Sequence, residues 1–100
     1  MEYRTSWQDA SQTKLLLELD GKLLFGNFQK LQSLVFSLRE KPPAQITFDL
    51  RNVDMIDSSG LGLLIVANEI ATNVTLKYPS KQVEQLFEVC KIGELMEIVL

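Results

Sequence analysis

The feature that most limits what this chain can fold into is a change of hydrophobic period, made several times along its length. Residues 14–20 put Leu15, Leu17 and Leu19 at alternate positions, as a half-buried strand requires. From Leu24 to Leu38 the spacing lengthens. Phe28, Leu31, Val35 and Leu38 follow at steps of three, four and three, the stripe of an amphipathic helix that Pro42 and Pro43 close off. Residues 45–50 alternate again, with Ile46, Phe48 and Leu50 on one side of a central strand. Leu61, Leu64, Ile65 and Asn68 return to helical spacing, and this helix is expected to pack on the strand carrying Ile46 and Phe48. Val74 and Leu76 mark a short strand, closed by Tyr78-Pro79-Ser80. Val83, Leu86, Phe87 and Cys90 share one face of a third helix, with Ser80 as its cap and Gly93 just past its end. The polar segment 1–13 is expected to supply a partner strand, and Leu95 to Leu100 a last strand or docked tail.

Strands alternating with helices in this order imply right-handed crossovers and helices packed against a mixed sheet. The expected fold is one α/β domain over residues 1–100, with a sheet of four to five strands. A chain of 100 residues can bury roughly 60–65% of its unfolded surface, enough for one core.

Composition removes several functional classes. Thirteen acidic against ten basic residues leave a net charge of −3, which offers no footprint for DNA or RNA. No segment approaches the roughly 20 apolar residues that span a bilayer, and Met1-Glu2-Tyr3-Arg4 does not open a signal peptide. One cysteine, Cys90, makes no internal disulfide and fits a reducing compartment, so a cytoplasmic location is expected. With no histidine, a Ser-His-Asp triad, a His-activated thiol and an imidazole metal site are all absent, which argues against an enzyme and calls for neither metal nor cofactor.

The segment that carries chemistry is Asp57-Ser58-Ser59-Gly60-Leu61-Gly62, where a buried strand delivers the chain to a helix N-terminus. Free N–H groups and the helix dipole favour negative charge there, so a phosphoryl group on Ser58 would be tolerated. The plainer reading of the same residues is that Asp57, Ser58 or Ser59 caps the helix while Gly60 and Gly62 relieve crowding. Elsewhere Trp7 is expected as a lid on the core, and Cys90 as a small buried hydrophobe. Phe25 and Phe28 are expected in the core, unless the cluster of Phe25 with Leu23 and Leu24 stands at an exposed loop, where it would dock a partner.

The run from Phe48-Asp49-Leu50 through Val53, Met55-Ile56 and Asp57-Ser58-Ser59-Gly60-Leu61-Gly62-Leu63-Leu64 resembles the signature of the STAS domain family, which includes the bacterial anti-sigma factor antagonists. Leu86-Phe87, Ile92, Leu95 and Ile98 resemble the family's C-terminal apolar pattern, so the likeness covers about residues 14–100. The resemblance implies that Ser58 is the acceptor of a phosphate from a serine kinase that doubles as the anti-sigma factor. It implies that the unphosphorylated domain binds this kinase, that phosphorylation weakens binding, and that a PP2C-type phosphatase restores the switch. It also gives Asp57 a part in placing the motif for the kinase, through magnesium or a partner base; a plain helix cap is the competing role.

Family antagonists often carry Gly-Glu-Leu-Asp after the second strand, whereas this chain reads Gly21-Lys22-Leu23-Leu24. Lys22 and Leu24 stand where acids are usual, which bears on partner choice. Two other readings remain open at this level. One is a constitutive STAS-type accessory subunit of a membrane lipid transport ATPase complex, never phosphorylated. The other is a small-ligand or nucleotide sensor using the N–H groups of Gly60-Leu61-Gly62, a turn without the lysine of phosphate-binding loops.

Overall fold

A computed structural model describes residues 1–100. Strands β1 (Glu2–Trp7) and β2 (Lys14–Leu23) lead into helix α1 (Gln29–Ser37). Strand β3 (Gln45–Ile56), helix α2 (Ser58–Ile70) and strand β4 (Asn73–Lys77) follow, then helix α3 (Lys81–Val89), one 3-10 turn (Ile92–Glu94) and strand β5 (Glu97–Val99). The element order is the one the period changes imply, and the mixed α/β class holds.

The five strands lie side by side in chain order, β1-β2-β3-β4-β5. β1 runs antiparallel to β2, and every other neighbouring pair is parallel. Each parallel step therefore needs a crossover, which α1, α2 and α3 supply in turn. Leu15, Leu17 and Leu19 of β2, Ile46, Phe48 and Leu50 of β3, and Val74 and Leu76 of β4 face the helices and join the helices' buried side chains in one core of 24 residues.

The opposite face is polar. There the Gln45 amide donates to Thr75 Oγ1 at 2.8 Å and the Thr75 hydroxyl donates to Glu97 Oε1 at 3.1 Å, tying β3, β4 and β5 together above the backbone ladder. That chain satisfies Thr75, the one buried polar side chain of the sheet.

Several details depart from the sequence reading. β3 continues beyond Leu50 to Ile56, pairing with β2 through two register shifts. Those irregularities space the buried Val53 and Ile56 three apart, which hides the strand from a period-two search. α1 begins at Gln29 rather than near Leu24, because Gly26 (φ 81°) and the Asn27 N–H to Leu24 carbonyl bond (2.9 Å) make Leu24–Asn27 a turn. Trp7 pairs with Leu15 on the helix-facing side, but β1 is the edge strand and the ring is 37% exposed, so it is no lid. Cys90 is exposed: it is the C-cap of α3, where the stripe of Val83 and Phe87 has ended. Lys91 (φ 56°), not Gly93, takes the left-handed turn that follows, and Ile92 then refills the core.

Candidate functional site

The site is built where three pieces of chain meet: the end of β2, the turn after it, and the start of α2. Asp57 is the N-cap, in extended backbone with φ −98° and ψ −175°. Its Oδ1 accepts the Gly60 N–H at 2.9 Å, satisfying one of the four free donors at the helix start. Its Oδ2 accepts the Phe25 N–H at 2.9 Å, a bond to a residue 32 positions earlier in the chain. The Asp57 N–H donates in turn to the Leu23 carbonyl at 3.2 Å. One aspartate thus caps α2 and holds the β2–α1 turn against it.

The same geometry sets the electrostatics. The backbone N–H of Phe25, and next that of Gly60, hold the Asp57 carboxyl below its ordinary value, because both bonds favour the charged form. Of the three candidate caps read from the sequence, Asp57 is the one that serves.

Gly60 is buried under β2. A Cβ at this position would lie 2.2 Å from the Leu23 carbonyl oxygen and 2.7 Å from Leu23 Cγ, so glycine is what allows α2 to approach so closely. Gly62 is different: nothing lies within 4 Å of a Cβ built there. Leu61 points into the core.

Ser58 is the first residue of α2 and is exposed. Ser59 is half-buried and lines a groove between α1 and α2 with Phe25, Gly26, Phe28, Phe36, Gly62, Leu63 and Val66. The structure therefore brings all six of the motif residues into one corner, with two unlike neighbours: Ser58 towards solvent and Ser59 towards the groove.

Three residues of this corner were not recognisable as parts of the site from the motif alone. Leu23 is fully buried and receives Gly60, Phe25 gives its amide to Asp57, and Asn27 braces the turn by donating from Nδ2 to the Lys22 carbonyl at 2.8 Å. Two signals pointed here: the departure of Gly21-Lys22-Leu23-Leu24 from the family pattern, and the apolar cluster of Phe25 with Leu23 and Leu24, of which Phe25 is exposed rather than in the core. Lys22 is exposed there and Leu24 half-buried. No helix is long and apolar enough to cross a membrane.

The family model for the STAS domain matches residues 8–100. The chain belongs to the STAS domain family. Solved structures agree on the fold of this STAS domain. A candidate anti-sigma factor antagonist from Thermotoga maritima is 19% identical at TM-score 0.86, over 98% of this chain and 86% of the other. The anti-sigma factor antagonist SpoIIAA in its unphosphorylated form is 17% identical at TM-score 0.79, over 99% of this chain and 89% of the other. The Bacillus cell fate determinant SpoIIAA in its phosphorylated form is 16% identical at TM-score 0.74, over 99% and 92%. Identities this low carry the fold and assign no residue its role. No curated protein matches the chain significantly.

Proposed function

We propose that this STAS domain is a phosphorylation-controlled anti-sigma factor antagonist in a cytoplasmic partner-switching system. The observation that carries the reading is Ser58, exposed at the first position of α2 directly after its capping aspartate. In the unphosphorylated form the corner around Ser58 docks onto a serine protein kinase that doubles as the anti-sigma factor. Phosphate on Ser58 brings about −1.5 to −2 charges to that surface, where binding would have to desolvate them. The helix start tolerates the charge, so release needs no refolding. A PP2C-type phosphatase returns the chain to its binding form. The domain is then a substrate and a ligand, not a catalyst, with no need of nucleic acid, cofactor or membrane insertion.

The test is phosphate incorporation and binding with the cognate kinase and ATP. Ser58→Ala is expected to take up no phosphate and to bind as the wild type does, because one exposed hydroxyl is lost. Ser58→Asp is expected to bind more weakly, since a carboxylate must be desolvated in the interface. Normal labelling of Ser58→Ala would sink the assignment of the acceptor. A partner bound stably with no phosphate ever found on Ser58 would favour an accessory subunit of a transport ATPase instead.

A further inference from the structure

Phe25 is the most exposed of the chain's large apolar side chains, with 82% of its surface in water, yet its backbone is fixed. The Phe25 N–H donates to Asp57 Oδ2, the turn around it is closed by the Asn27 N–H to the Leu24 carbonyl (2.9 Å), and the Asn27 amide braces Lys22. A ring that folding leaves in water has apolar area to give up only to a partner, and on a fixed stem it loses little freedom in doing so.

What covers this ring follows from where it is tied. The bond from Phe25 ends on Asp57, the residue before Ser58, and at 2.9 Å it leaves the Phe25 and Ser58 Cα atoms no more than about 12 Å apart. Ser59, the residue after Ser58, lines the same groove as Phe25. A partner that buries a standard share of about 800 Å² on this chain covers a patch of about 16 Å radius, and a small one of about 600 Å² still reaches about 14 Å. An enzyme that encloses the Ser58 hydroxyl for phosphoryl transfer therefore covers Phe25 as well. Resting on the assignment of Ser58 as the phosphate acceptor, we infer that Phe25 is a specificity determinant for that transfer, its ring seated in an apolar pocket of the serine kinase beside the active site.

The chemistry of the pocket follows from the surface it must match. None of the residues lining the groove next to Phe25 is charged, so neither the ring nor its surroundings offer an ion pair. Ser58 and Phe25 then divide the work. The Ser58 Oγ bonds to the γ-phosphorus of ATP as the bond to the leaving ADP oxygen breaks, and the hydroxyl proton passes to a base on the kinase. A phenyl ring has no group to take that proton or to hold the phosphoryl oxygens, so it binds equally well before and during transfer. Binding of that uniform kind sets KM and leaves kcat alone.

The probe is the serine kinase that labels Ser58 of the wild-type chain with ATP, purified by following that labelling from the cells that make the protein. Phe25→Ala is expected to raise KM by about tenfold or more, as loss of a buried aromatic anchor does, with kcat within about twofold of the wild type. Phe25→Leu, which keeps an apolar side chain, is expected to recover most of that loss. Both variants keep the backbone N–H that Asp57 accepts, so their circular dichroism and urea midpoints are expected to match the wild type. A KM for Phe25→Ala within about twofold of the wild type, or a lowered kcat at unchanged KM, overturns the inference while the labelling of Ser58 stands. A wild type that takes up no phosphate on Ser58 overturns the reading of the site, and this inference with it.

Discussion

At Gly60 the spacing between α2 and β2 rests on a side chain of one hydrogen. Its missing Cβ would sit 2.2 Å from a backbone oxygen, which cannot swing away as a side-chain tip could. Gly60→Ala is expected to destabilise the fold by about 1–3 kcal/mol, the usual cost of overpacking. Gly62→Ala, two residues on with open space around it, is expected to stabilise by about 0.5–1 kcal/mol through helix propensity. Urea unfolding midpoints of the two variants check both signs. The sequence showed two glycines near a helix start and suggested crowding relief for each. It could not separate them, because the crowding atom belongs to Leu23, far away along the chain. Asp57 was legible as a cap from its type and position, but its second bond, to Phe25, was not. That bond depends on tertiary closeness, which no local pattern encodes.

The helices show what a stripe of apolar residues does and does not reveal. Leu64 is fully buried on α2 among the strand residues, as its spacing implies. Leu64→Ala is expected to cost about 2–5 kcal/mol, measured by denaturant unfolding, and a loss under about half a kcal/mol would contradict this packing. Ile65 is only half-buried, and Ala67 and Leu63 take places that the expected stripe gave to Ile65 and Asn68. Periodicity finds a face but does not fix its centre, since α2 is apolar nearly all round. α3 has the converse problem. Its stripe is clear, yet Cys90 continues the pattern one step past the last helical residue and so lands in solvent. A pattern of residue types does not mark where the backbone leaves the helix, here at a left-handed lysine that no composition rule would pick.

On the scale of the whole molecule, acid stability should be set partly by two carboxylates in surface turns. Asp57 is held below its ordinary value by the Phe25 and Gly60 amides, and Asp9 by the Thr13 hydroxyl, with the Lys14 and Thr13 amides adding to it. A folded-state value below the unfolded one gives stability that is fully present above the unfolded value and lost as pH falls through the folded one. Their contribution is therefore expected to be constant from pH 7 to about pH 5 and to fall away below about pH 4. Unfolding midpoints against pH should show a smaller acid loss in Asp57→Asn, which no longer titrates; an unchanged slope in a Asp57→Asn, Asp9→Asn double variant would contradict the assignment. The fold class and element order were readable because each period change spans a whole element. The irregular end of β3 was not, because its bulges replace the period.

The strand order has one more consequence. In many α/β proteins the order reverses within the sheet, neighbouring crossovers depart in opposite directions, and a crevice opens at that switch point to receive a nucleotide or other small ligand. Here the order never reverses, from β1 to β5. Every crossover steps the same way, so the sheet has no such crevice beyond its strand ends. What those ends display instead is a helix start with an exposed serine, beside the turn that carries the 82% exposed Phe25.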